Sequence, residues 1–244
     1  MTSGISIELL VQHPLYKHLL KFAQSAEGRE KILRLLQYLT RFLRYWKFRA
    51  ILSPQFAALL PSLQASFTLC RKPLRFLKPL NHLNLFTSCI NDKLSDPVLR
   101  YSEAIKQFGL FWFFTFDTIV WLKMLGLVGG RGVNESLGQS KWVVNAGKYS
   151  AMMWCLGLLG GLVKNLKQFH VLLLRRLNED KTEITPKVRI IQPFEKVCKD
   201  FIKNVLDFVI AFNLYKNKGY NDGIIGSFGT ITSILAIQDI WNLC

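Results

Sequence analysis

Asp117 is the residue whose setting most invites a chemical role. It lies inside FGLFWFFTFDTIVWLKMLGLV (108–128). A carboxylate at the centre of a membrane helix costs about 2.5–3.5 kcal/mol, so it marks either a polar pathway or a hydrogen bond to a neighbouring helix. The second reading has the better support, because no other acid accompanies Asp117 in that run. The histidines offer less. His13 and His18 are five apart, not the four of a helical zinc pair, and no HExxH occurs. His170 follows Phe169 in a Leu-rich helix and reads as a packing or interfacial residue. GGRG (129–132) lacks the GK[ST] of a phosphate loop and reads as a turn. Cys70, Cys89, Cys155, Cys198 and Cys244 are odd in number, widely spaced and without CxxC, which suits reduced thiols. No catalytic site, metal or cofactor is expected, and the chain reads as non-enzymatic.

The chemistry that the spacing does support is recognition of a lipid surface. In GREKILRLLQYLTRFLRYWKFR (28–49), Ile32, Leu35, Leu36, Leu39, Phe42, Leu43 and Trp46 fall on one helical face, within roughly 120°. Arg34, Arg41 and Arg44 lie opposite, with Glu30 and Gln37. Arg29, Lys31, Lys47 and Arg49 flank the apolar stripe, where long side chains reach lipid headgroups. Seven Lys/Arg against one acid, phased in this way, indicate a helix lying in a membrane interface. Leu33 and Phe48 fall on the polar face, so the amphipathicity is imperfect.

Charge and composition agree. The formal net charge is +16, and half of the 244 residues are hydrophobic. The first 100 residues alone carry a net +10. A basic chain seeks nucleic acid or anionic membrane. Here the basic residues are interleaved with long apolar runs, and no zinc-finger spacing, Gly-rich RNA-binding signature or basic-leucine heptad is present. The expected partner is therefore an anionic phospholipid membrane and not nucleic acid.

The elements that must position this helix are themselves helical, and the expected class is all-α. It is a membrane-associated protein with N-terminal amphipathic helices and one to three hydrophobic membrane helices. Pro14 suits a first helical turn, and Ser25 is a weak cap for the helix that follows. Residues 53–70 read as a helix with a kink or break at Pro61. The basic stretch 71–83 is either a helix–loop junction or a second headgroup site. Candidate spans are 108–128, the short 149–163 with Gly157 and Gly161 at GxxxG spacing, and 223–241. The last is the best of them, and Gly223, Gly226, Gly229 and Ser233 give it a small-residue face for helix packing. Four regions follow. Residues 1–100 form the N-terminal remodelling region. Residues 101–177 form central hydrophobic helices with a polar loop at 129–148. Residues 178–193 form a linker, and 194–244 an amphipathic helix plus anchor.

These segments together resemble one family. GREKILRLLQYLTRFLRYW (28–46) resembles the N-terminal signature of the peroxin-11 family of peroxisomal membrane proteins. KNVLDFVIAFN (203–213) and GIIGSFGTITSILAIQDIW (223–241) resemble its C-terminal signature. The resemblance implies a peroxisomal membrane protein that promotes peroxisome elongation, proliferation and fission. It would insert its amphipathic helix into the cytosolic leaflet and self-associate as a homo-oligomer. It further implies a dynamin-related fission GTPase and its membrane adaptor as partners. Carried over, the inserting face is Ile32, Leu35, Leu36, Leu39, Phe42, Leu43 and Trp46. The headgroup-binding set is Arg29, Lys31, Arg34, Arg41, Arg44, Lys47 and Arg49. A pore for small metabolites is the alternative function. The basic N-terminal region suggests a cytosolic N-terminus.

Overall fold

Proline, serine and aspartate set the helix boundaries. In the computed structural model, residues 9, 11–45, 53–94, 96–128, 141–179, 188–217 and 219–244 are described. Helix α1 spans Pro14–Gln24, with Pro14 at its start and His13 accepting from the Leu15 amide at 3.2 Å. Ser25 adopts an extended conformation that ends α1, and its hydroxyl accepts from the Gly28 amide at 2.8 Å. That cap starts α2, Ala26–Tyr45, as a separate helix. Helix α3 spans Pro54–Arg71 behind Ser53 and runs on through Pro61. Of the expected kink or break at Pro61, the break does not occur. Leu60 beside it is 1 % exposed, and packing of α3 on α2 holds the turn despite a cost of about 3 kcal/mol.

A 3-10 turn, Pro73–Arg75, leads to α4 (Lys78–Asn91) and then α5 (Pro97–Met124), where Asp96 caps the Val98 and Leu99 amides. Helices α6 (Lys141–Val144), α7 (Ala146–Glu179), α8 (Val188–Lys216) and α9 (Asp222–Trp241) complete the order. The architecture is all-α, with no strand among the described residues. Of the expected loop at 129–148, residues 129–140 lie outside the described residues, while 141–144 and 146–148 are helical. Of the expected linker, 180–187 lie outside them, while 178–179 and 188–193 extend α7 and α8.

The helices form two units. One comprises Met1–Leu74 and Asn221–Cys244, and the other Arg75–Tyr220. In the first, α9 returns from the end of the chain to pack along α2, and α3 covers another side of α2. The segment 194–244 is thus shared between the units, and residue 100 falls within α5.

In the second unit, α4 and α7 each pack on α5, and α8 packs on α7. Backbones approach where side chains are absent. A Cβ on Gly160 would stand 2.7 Å from the Lys106 amide nitrogen, and one on Gly109 would meet the Gly157 backbone. Gly161 instead faces Asn204 on α8. The pair at GxxxG spacing therefore serves two different neighbours. Asp117 is held by Arg75 at 3.1 Å, with both side chains largely covered. A polar chain runs from His82 Nδ1 to Gln107 Oε1 (2.7 Å), from Gln107 Nε2 to Glu103 Oε1 (2.5 Å), and from Glu103 Oε2 to Lys164 Nζ (2.7 Å).

Burial raises the Glu103 carboxyl, but Lys106 and Lys164 outweigh it and hold the group below its ordinary 4.5. A carboxylate depressed in the folded state stabilises above its unfolded value and loses that contribution as the pH falls through the folded one. Acidification below pH 4.5 should therefore loosen α5 from α7, and Glu103→Gln should remove that acid-dependent step. Near-UV circular dichroism during acid titration of the purified chain reads both outcomes.

Candidate membrane-binding site

Helix α2 is folded with its polar side inward. Glu30 is 1 % exposed, Arg34 7 % and Tyr38 6 %, whereas Ile32 is 38 % exposed and Leu39 36 %. Leu35, Leu36, Phe42 and Leu43 are half-buried. In water this is the wrong way round, because charged residues are almost never fully buried unless paired. The pairing is present here. Glu30 Oε1 accepts from Arg71 Nε (3.0 Å) and Nη2 (2.6 Å), and Lys31 Nζ stands 3.0 Å from Oε2. Arg71 Nη1 also donates to Gln37 Oε1. Arg34 Nη2 donates to Thr232 Oγ1 at 3.1 Å. Deleting one partner of such a buried pair costs about 3–5 kcal/mol, so the arrangement is strongly specified.

The arginines nearer the end of α2 meet one acid. Arg41 donates to Asp222 Oδ1 through Nε (2.9 Å) and Nη2 (2.5 Å), and Arg44 Nη2 donates to Oδ2 at 2.5 Å. Asp222 is the first residue of α9. The glycines of α9 bring the two helices together. A Cβ on Gly226 would lie 2.7 Å from the Phe42 amide nitrogen, and one on Gly223 would lie 2.7 Å from Tyr45 Cδ1. One on Gly229 would enter the Tyr38 ring. Ser233 is fully buried and returns its hydroxyl to the Gly229 carbonyl at 2.6 Å. At the other end His18 Nε2 is 2.9 Å from the Trp241 carbonyl oxygen, and the His18 and Phe22 rings pack against the Trp241 ring.

The structure thus leaves Ile32 and Leu39 exposed and Leu35, Leu36 and Leu43 half-buried, while Phe42 lies against Gly226 of α9. It engages Arg34, Arg41 and Arg44 with α9, pairs Lys31 with Glu30, and leaves Arg29 exposed. Trp46, Lys47, Phe48 and Arg49 lie outside the described residues. The basic stretch after α3 also turns inward. Arg71 serves Glu30, Lys72 is 7 % exposed, Arg75 serves Asp117, and Lys78 stands over the Phe114 ring at 5.6 Å. That accounts for 71–78 as a structural junction. Sequence reasoning missed Asp222 and Glu30 as organising residues. The available signal was an acid at the first position of an apolar helix, in a chain with sixteen acids against thirty-two bases.

Helix α9 is the one described helix long and apolar enough to cross a membrane. The other two candidate stretches lie within longer helices. Asp117 and Lys123 interrupt the first, and Lys164 and Lys167 follow the second at once.

Comparison with known proteins decides what kind of molecule carries this arrangement. The family model for peroxisomal biogenesis factor 11 matches residues 16–241, from α1 through the end of α9. The chain belongs to that family. Among its relatives, peroxisomal membrane protein PMP30A of Candida boidinii is 38 % identical, with 96 % of each chain covered. Peroxisomal membrane protein PMP27 of Saccharomyces cerevisiae is 32 % identical over 96 % of this chain and 98 % of its own length. Human peroxisomal membrane protein 11B is 20 % identical, covering 89 % of this chain and 93 % of that one. No solved structure matches. This peroxisomal biogenesis factor 11 member is accordingly a helical membrane protein of the peroxisome, from a family with a role in peroxisome proliferation and not a known enzyme family.

Proposed function

We propose that this protein elongates the peroxisomal membrane, and so promotes proliferation and fission, by burying the apolar face of α2 in the cytosolic leaflet and self-associating. One observation carries the reading. Ile32 and Leu39 of the hydrophobic stripe of α2 are exposed, while its arginine side is already satisfied within the fold. Displacing lipid on one side expands that leaflet, and bending relieves the mismatch. Each buried Leu, Ile or Phe contributes roughly 1.5–3 kcal/mol. A basic residue near an anionic surface adds about 1 kcal/mol, and Arg29, Lys17 and Lys21 are exposed to supply it. One helix bends little membrane, so further copies of the chain are the natural partners. The dynamin-related fission GTPase and its adaptor would then act on the narrowed membrane. The net +10 of the first 100 residues supports a cytosolic N-terminus.

The pore alternative rests on Asp117 and the Gly-rich helices, and of these the Arg75 pair accounts for Asp117 by packing. Electron microscopy of vesicles carrying the reconstituted full chain tests the proposal. Anionic vesicles should form tubules at increasing protein density, and neutral vesicles fewer. Spherical vesicles at high density in both would sink it.

A further inference from the structure

We infer that two copies of this chain associate through the apolar face that α5 and α7 expose together, forming a four-helix bundle about a two-fold axis. This rests on the self-association in the reading above and gives it a surface. Helices α5 and α7 run antiparallel. Asp96 meets Lys167 near one end, Glu103 meets Lys164, and Gly109 meets Gly157 further along. One side of the pair is left open. On α5, Val98, Tyr101, Ile105 and Phe108 are exposed, at spacings of three, four and three. On α7, Leu156, Leu159, Val163 and Leu166 are exposed at the same spacings. That alternation is the 3.5-residue period of a seam that packs against further helices. Between the two stripes lies a groove of about 460 Å³, with Ser102 and Gly160 in its lining. Large side chains along both stripes and small ones between them make the face self-complementary, because a ridge of one copy can enter the groove of the other.

Charge and area say what covers the face. The chain has thirty-two bases against sixteen acids, so two copies repel each other over most of their surface. This face escapes that repulsion, because none of the described residues lining the groove is charged. The lysines that neighbour the stripes in sequence are neutralised within the pair. Glu103 takes Lys164 at 2.7 Å and Lys106 at 3.4 Å, and Asp96 takes Lys167 at 3.2 Å. Arg100 is drawn onto the Tyr101 ring and the Asp92 carbonyl. An uncharged centre suits a protein interface and offers nothing to an acidic or basic partner. Lipid is the poorer occupant. Arg100, Glu103 and Lys106 fall within three turns of this part of α5, a density of charge that hydrocarbon does not accept. Outside hydrocarbon, an apolar patch of this extent marks a protein contact. The eight stripe residues are 36–57 % exposed, which leaves roughly 700–800 Å² per copy, close to the ~800 Å² that each partner buries in a stable interface.

The test is energy transfer between full chains labelled at the N-terminus with a donor or an acceptor and reconstituted together in phosphatidylcholine–phosphatidylserine vesicles. Transfer should rise with protein density and saturate. Leu159→Glu should lower it to the level of random proximity at the same density. Ile202→Glu, on the exposed side of α8, should leave it unchanged. Tyr101→Ala with Leu159→Ala introduces no charge and should raise the density of half-saturation about tenfold, as loss of central contacts does. An unshifted curve for that pair overturns the interface even where the glutamate disturbs helix content by circular dichroism. Transfer in folded Leu159→Glu equal to the wild type overturns it too and leaves the groove to lipid. Equal loss with Leu159→Glu and Ile202→Glu, or wild-type transfer no higher than random proximity, does the same. Vesicles that stay spherical while transfer follows the expected pattern count against the proposed function and leave the interface standing.

Discussion

Ile32→Glu, Leu35→Glu and Leu39→Glu introduced together should abolish tubulation of anionic vesicles by the full chain while leaving its helix content unchanged. The three positions lie on the outward stripe of α2, with Ile32 38 % and Leu39 36 % exposed. No internal pair described above uses them, so the fold has little to lose. The cost falls on the membrane side. The apolar burial they replace was favourable by roughly 1.5–3 kcal/mol each. The attraction of exposed lysines and arginines for an anionic surface is about 1 kcal/mol each and cannot restore the balance. The chain should also shift from the membrane pellet towards salt-extractable material. Tubules formed at wild-type protein density by the triple variant would sink the wedge reading.

Gly226→Leu should unfold the first unit, lowering its stability by about 3 kcal/mol or more, at the upper end of what overpacking costs. The substituted Cβ would stand 2.7 Å from the Phe42 amide nitrogen and 2.8 Å from its Cα, which is backbone and cannot rotate away. Separating the helices to make room would also stretch the Asp222 contacts to Arg41 and Arg44 and leave Arg34 without Thr232. Ile231→Leu on the exposed side of the same helix is the control and should change stability little, since Ile231 is 44 % exposed. Thermal unfolding in detergent, followed by circular dichroism, compares the two. Equal midpoints would mean that α2 and α9 are not packed through their glycine face.

Helix positions were legible because their signals are local. Pro14 and the expected start at residue 53 sit where helices start, and the 3.6-residue period of apolar residues in 28–45 needs no tertiary information. The small-residue face of α9 was equally plain, because three glycines at spacings of three lie on one side of any helix. Whether Pro61 kinks or breaks its helix is not legible locally, because its cost is local while the packing of Leu60 that offsets it is not. The arginines of α2 were assigned to headgroups on the same local logic. An amphipathic period shows that a helix has two faces, but not which face the rest of the chain will cover.

The sequence by itself determined the class, the two faces of α2 and the family, since these depend on composition, period and order, whereas α5, α7 and α8 run beyond the segments that hydropathy marked. Tertiary structure decided which face looks outward. Asp222 lies 181 residues from Arg41 and 178 from Arg44, and Thr232 lies 198 from Arg34. Only chain return can bring them together. A buried arginine needs a partner, and the structure supplies one from the opposite end of the chain, so that the polar side of α2 closes on α9 and Ile32 and Leu39 stay exposed.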